Sequence, residues 1–274
     1  MKKIKEVNNS YKNTLWLKKE YTGISALEQQ LISLIKGYNL ITFNVIEVRR
    51  LSNFSLNQIH NLLFSLKKKG VLIQVKKGHY VLKEGVKGRE FEIATNLVNP
   101  SYVSFWTAMS YYGFTEQQVK TIQLVSNKQV KSFEFMGHRV EIASFSPNKF
   151  FGYKRVDGFN IAEKEKALVD SLSNLEKAGG VEEFAKCLKN AWDEINKKKF
   201  IDYLIKFNNN SMISRAGFLI EKQGLKLSKK QTKRLINRKS SCFVKLAPSQ
   251  QKSKTYDKKW MINVNVEIKG EEVI

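Results

Sequence analysis

An α+β fold in two parts is predicted from three features of the 274-residue sequence. A helical apolar period leading directly into a hairpin pattern closes the first 82 residues. Alternating apolar runs around Gly-centred turns occupy the middle, and successive helical periods fill most of the remainder. The boundary is expected at 84/85. Residues 1–84 form a basic arm and a small helical domain closed by a hairpin. Residues 85–274 form a mixed α/β domain with a small antiparallel sheet, a helical second half and a basic segment, 222–274.

The first part is organised around Ser55 to Leu82. Ile59, Leu63 and Leu66 fall at i, i+4 and i+7, and Leu56 and Leu62 widen that stripe. Ser55 is the expected N-cap, because its hydroxyl can accept a first-turn N–H. Lys67, Lys68 and Lys69 suit the negative end of the helix dipole, and Gly70 stops the helix. Val71–Val75 and Tyr80–Leu82 then flank Lys76-Lys77-Gly78-His79, where Gly78 can take the positive φ of a tight turn. Upstream, Ser25-Ala26-Leu27-Glu28 carries capping-box spacing, with Leu27, Leu31, Leu34 and Ile35 as the buried face. Thr42 or Asn44 caps a shorter helix through Val45, Val48 and Leu51. Three short helices and a hairpin are the order of a winged helix-turn-helix.

In that fold the last helix enters a major groove. Asn57, Gln58 and Asn61, with Ser55 and His60 beside them, form the half that would face base edges; amides pair with adenine. Lys76, Lys77 and His79 at the wing tip would meet phosphate or the neighbouring groove, and Lys67 joins the DNA-binding set. The competing reading is an ordinary amphipathic helix with a solvated polar face. Residues 1–24 read as an arm docking through Trp16, or as one trailing along DNA.

The formal net charge of +23 and a pI near 9.8 favour a polyanionic partner. The charge is uneven. Residues 1–82 hold 14 Lys/Arg against 4 Asp/Glu, a balance of +10; residues 83–221 hold 20 against 17, or +3; residues 222–274 hold 14 against 4, again +10. Lys226, Lys230, Arg234 and Arg238 recur every fourth residue, as one basic stripe on a helix capped by Ser228; it is a second candidate polyanion-binding surface, for flanking DNA or for RNA, against the reading of a merely solvated face.

In the second part, 83–90 reads as a linker, and a helix runs from Arg89 to Val98. A second helix is expected from Ser101 to Tyr112, a strand over Thr121–Ser126, a hairpin over 133–145, and a strand at Gly158–Ile161. Helices start near Glu163, Val181, Lys199, Ser211 and Ser228, and strands close the chain at 242–246 and 261–268.

No catalytic or cofactor motif emerges. His60, His79 and His138 stand in different elements, and no metal-ligand spacing, Walker loop, Gly-x-Gly-x-x-Gly or Gly-x-Ser-x-Gly occurs. The expectation is therefore no enzyme, no cofactor and no metal. Cys187 and Cys242 lack framework spacing, which fits a reducing cytoplasm. No apolar run nears the ~20 residues of a membrane span, and the basic start lacks a signal-like apolar stretch.

Pro100–Gln117, PSYVSFWTAMSYYGFTEQ, resembles the AbiEi-type antitoxin family of transcriptional regulators. Phe150-Phe151-Gly152-Tyr153 and Ala162–Asp170, AEKEKALVD, resemble two further family segments, although Glu163 and Lys164 replace the family's Asp and Pro. The basic Gly-x-Tyr hairpin is also similar. The resemblance covers residues 25–225. It implies a two-part type IV antitoxin: a winged helix that represses its own operon at inverted repeats in double-stranded operator DNA, and a C-terminal domain that counters a nucleotidyltransferase-like toxin without requiring a stable direct complex. A winged-helix regulator without a toxin partner, or an RNA- or protein-binding module, stays open beside it.

Overall fold

The structure is a computed structural model that describes residues 23–268; the expected Trp16 arm lies outside them. Its first helix, α1 (Ala26–Gly37), starts at the Ser25/Glu28 capping box. Strand β1 (Phe43–Asn44) leads into α2 (Val45–Leu51), which Asn44 rather than Thr42 caps. Helix α3 (Leu56–Lys68) comes next, then β2 (Leu72–Lys76) and β3 (His79–Leu82). The three strands form one antiparallel sheet in the order β1-β3-β2. Leu31, Ile35, Phe43, Val48, Ile59, Leu63 and Leu66 make its core. Leu27 and Leu56 were expected to join them but are 46% and 52% exposed. Each stands in the first turn of its helix, at the margin of the apolar stripe.

The chain divides into two compact units between Leu97 and Val98, not at 84/85. The expected linker is tied down. Lys83–Gly85 forms a 3-10 turn, and Glu84 pairs with Lys36 of α1 at 2.6 Å. The next helix, α4 (Glu90–Leu97), therefore belongs to the first unit.

One buried carboxylate ties α1 to α3. Glu28, 2% exposed, accepts hydrogen bonds from Ser65 Oγ (2.7 Å), Lys69 Nζ (2.6 Å) and its own cap Ser25 N (2.6 Å). Lys69 is thus an ion-pair partner as well as a dipole cation.

The second unit holds a six-stranded mixed sheet built from β4 (Ser101–Val103), β5 (Ile122–Ser126), β6 (Phe133–Phe135), β7 (His138–Ser144), β8 (Tyr153–Val156) and β9 (Phe159–Ala162). The order is β6-β7-β5-β4-β9-β8, with β5/β7 and β4/β9 parallel, so it is mixed rather than purely antiparallel. Ser101–Val103 was expected to open a helix. It is instead a central strand, buried throughout and paired on both sides, and only Phe105–Tyr111 is helical (α5). Tyr and Val suit a strand buried on both faces, and that pairing overrides the local helical period. Strands β6 and β7 form the expected hairpin, and the expected strand β9 pairs antiparallel with β8.

Five helices come after the sheet: α6 (Lys164–Ser173), α7 (Val181–Ala191), α8 (Lys197–Phe207), α9 (Asn210–Lys222) and α10 (Lys229–Ile236). Short strands β10 (Val244–Lys245), β11 (Tyr256–Asp257) and β12 (Ile262–Asn263) form a last sheet in the order β10-β12-β11. Trp260 anchors this sheet to α9. It is buried against Gly217, where any Cβ would overlap its ring, and its Nε1 donates to Glu221 at 2.6 Å. Among the described residues, no helix is long and apolar enough to cross a membrane.

Burial alone would raise the Glu28 pKa, but hydrogen bonds from Lys69, Ser65 and Ser25 outweigh it and hold the carboxyl at about 2, against an ordinary 4.5. A depressed folded pKa stabilises the fold above the unfolded value, and that stability is lost as pH falls through the folded one. The first unit should therefore lose roughly 3 kcal/mol between about pH 4.5 and pH 2 through this group. Hydrogen exchange of α1 and α3 amides across that range should show the loss. Glu28→Gln should be less stable at neutral pH and should flatten the dependence; a Glu28→Gln profile parallel to the parent would refute it.

Candidate nucleic-acid interface

Helix α3 owes its amphipathic form to the stripe Ile59, Leu62, Leu63 and Leu66, which is buried. Its other side is exposed and carries Asn57, His60 and Asn61. Asn57 and Asn61 are one turn apart and stand on the same side of the helix. Phe64 continues this side and is 71% exposed.

Ser55 caps the helix, as the sequence predicts, but it does so as half of a capping box. Ser55 Oγ accepts from Gln58 N, and Gln58 Oε1 accepts from Ser55 N at 2.8 Å. Bidentate recognition of adenine needs both the oxygen and the nitrogen of an amide. With its oxygen committed to the cap, Gln58 is a helix-start residue rather than a base reader. The Ser-x-x-Gln spacing carried that signal in the sequence.

The basic residues also sort by position. Lys67 Nζ donates to Gln74 Oε1 at 2.7 Å, joining the end of α3 to β2. Lys76 and His79 face each other across the ladder, which leaves Lys77-Gly78 as the two-residue turn, with Gly78 at φ +77°. Lys77 is the exposed residue at the tip, while Lys76 and His79 are half-buried. Arg49 Nη1 donates to Phe54 O at 2.7 Å and fixes the turn between α2 and α3. Arg50 is exposed in the last turn of α2, the helix before α3.

The C-terminal stripe does not form one helical face. The Ser228/Gln231 capping box starts α10 after Lys226, and the helix ends before Arg238. Only Lys230 and Arg234 lie within it, and Arg234 pairs with Asp202 of α8 at 2.8 Å.

A separate polar cluster lies inside the second unit. Lys166 and Asp170 are one turn apart on α6, form an ion pair, and are both 0% exposed. Asp170 Oδ2 also accepts from Ser104 Oγ (2.7 Å) and Tyr102 OH (3.1 Å), and Lys166 Nζ donates to Tyr102 OH at 3.0 Å. The ammonium lies over the rings of Phe151 at 4.8 Å, Phe145 at 5.2 Å and Phe207 at 5.4 Å. Burial pushes the Asp170 carboxyl up and the Lys166 ammonium down, and their mutual contact opposes both shifts. Gly152 has φ +72°, and a Cβ there would come within 2.9 Å of Tyr203 and 3.2 Å of Lys166. With both charges fully buried and bonded to each other, the cluster joins α6 to β4 and the turn after it. Among the described residues, no three His, Cys, Asp or Glu side chains converge as a metal site.

No family model matches the chain, and no curated protein matches it. Among solved structures, it is similar to the Rv2827c protein from Mycobacterium tuberculosis, with a TM-score of 0.60 and 12% identity over 87% of this chain and 91% of that one. At that identity the likeness concerns the fold.

Asp170→Ala leaves a buried ammonium without its counter-ion and should cost about 3–5 kcal/mol. Lys166→Met should cost less, because Asp170 can take up a proton and keep its bonds to Tyr102 and Ser104. A carboxyl with a raised folded pKa loses stability as pH rises, so Lys166→Met should regain stability on acidification. Denaturant midpoints at two pH values test both; equal losses from the two substitutions would remove the asymmetry.

Proposed function

We propose that the chain is a winged helix-turn-helix DNA-binding antitoxin that represses its own operon and counters a nucleotidyltransferase-like toxin. The observation that carries the DNA-binding half is the exposed side of α3, with Asn57, His60 and Asn61 opposite a buried stripe and a hairpin behind it with Lys77 at its tip. In this reading α2 and α3 are the helix-turn-helix, with Arg49 holding the turn, and β2 and β3 are the wing. Asn57 and Asn61 read base edges in the major groove. Lys76, Lys77 and Arg50 serve the phosphates, and Leu56 and Phe64 are placed to meet thymine methyl groups.

The antitoxin half rests on the family resemblance. The three segments that carry it supply Tyr102 and Ser104, Phe151 and Gly152, and Lys166 and Asp170, which are the parts of one buried cluster. Agreement concentrated in a shared core supports common architecture. Countering the toxin without a stable complex is a property of the type IV class that the resemblance implies.

Asn57→Ala and Asn61→Ala should each weaken binding to an inverted repeat upstream of the reading frame by about 1–3 kcal/mol and leave random duplex nearly unaffected. Gln58→Ala should act through helix stability, lowering the melting temperature. Paired titrations on the two duplexes decide; equal losses on both would remove the base-reading role. Lys77→Ala should weaken both duplexes alike and reduce the salt slope by roughly one. For the antitoxin half, the reading frame should lie beside one for a nucleotidyltransferase-like protein that arrests growth when expressed alone; co-expression with this chain should restore growth, and an Asn57/Asn61 double variant should keep that protection while losing repression.

A further inference from the structure

Phe243 and Tyr256 take no part in the buried cluster or in the α3 surface. Phe243 precedes β10 and Tyr256 opens β11, the two outer strands of the C-terminal sheet. Their rings meet edge to face, with centroids 4.9 Å apart, yet remain 44% and 48% exposed. With Lys245, Lys252, Lys258 and Asn263 they line a surface pocket of about 430 Å³.

The pocket stands on a fixed floor. Trp260 locks the sheet to α9, and Asn263 Nδ2 donates to Ser253 O at 2.8 Å and to Thr255 O at 3.2 Å. Asn265 Nδ2 holds Ala247 O at 2.8 Å and Gln251 O at 2.9 Å. Lys239, just past α10, donates to the carbonyls of Lys258 and Lys259. The local carboxylates are occupied: Asp257 accepts from Trp260 N at 2.6 Å, and Glu221 accepts from Trp260 and Lys259. The lysines at the pocket therefore contribute their charge to a segment, 222–274, that holds 14 Lys/Arg against 4 Asp/Glu.

We propose that this pocket binds single-stranded RNA, with an unstacked base against Phe243 and Tyr256 and the flanking phosphates met by Lys245, Lys252 and Lys258. Exposed rings set among ammonium groups are the combination that binds single strands, because every base offers a π-face and every linkage a charge. A duplex keeps its base faces stacked and out of reach. RNA is favoured over DNA because its loops and ends hold unstacked bases as a standing feature. The pocket's role is independent of duplex reading by α3.

The test uses the full chain and fluorescence anisotropy with a labelled oligouridine, the DNA single strand of matching sequence, and the proposed operator duplex. Phe243→Ala and Tyr256→Ala should each weaken oligouridine binding roughly ten- to a hundredfold, and Tyr256→Phe should retain it. Both side chains are about half exposed, so melting temperatures should hold. As a second route, Lys252→Glu with Lys258→Glu should weaken binding and flatten its salt dependence. Duplex affinity should stay level in all of these variants. Unchanged oligouridine binding in the aromatic and charge variants would overturn the proposal, as would an equal fall on the duplex. Equal affinity for the DNA strand would overturn the assignment to RNA.

Discussion

The second unit is built around a contact that costs free energy unless it is complete. Removing an ammonium and a carboxylate from water costs several kcal/mol for each ion, and their attraction offsets this only when the remaining hydrogen-bonding capacity is filled. Here Tyr102 and Ser104 complete the set. Those two residues sit on β4 and at the turn after it, while Lys166 and Asp170 sit on α6. A central strand and a helix distant in sequence are thereby held in one relative register. A one-residue slip of α6 turns it by about 100° and would leave a charge buried without its partner. The contact thus acts on specificity as much as on stability.

The surrounding residues obey that constraint. The ammonium needs a dry, polarisable wall, and Phe145, Phe151 and Phe207 supply it from three separate parts of the sequence. The chain must pass close to Lys166 with positive φ, and Gly152 does so without strain. Around the rim, Glu163 bonds Tyr203 and pairs with Lys199, and Glu165 accepts from Asn196 N, so α6 and α8 share a polar border over an apolar core.

The first unit uses the same device to the opposite end. Glu28 is a buried carboxylate tied on several sides, and it fixes the C-terminal turn of α3 to the start of α1. With one side of α3 sealed in the core and both of its ends capped or bonded, the outward side is presented rigidly. A preorganised helix face loses little ordering entropy on binding. The same holds whatever meets that face, because its geometry is set by the buried stripe and by Glu28.

How much of this was legible depended on distance along the chain. Ser25/Glu28, Ser55 and Ser228 marked their helices locally, and Gly78 and Gly137 marked hairpins. The order of three short helices and a hairpin in the first part required only neighbouring elements. The parallel pairings β5/β7 and β4/β9 left no local mark, so Ser101–Val103 read as helix although pairing on both sides makes it a strand. Period-four counting failed at Lys226–Arg238 for the converse reason: regular spacing says nothing about where a helix begins, and the Ser228/Gln231 box set that. Aromatic residues were the least legible. Phe151 became the wall of a buried charge and Phe243 an exposed ring beside lysines, although both are phenylalanines close to basic residues in sequence. What separates them is the strand pairing and the Trp260 anchor, and both arise between residues far apart in the chain.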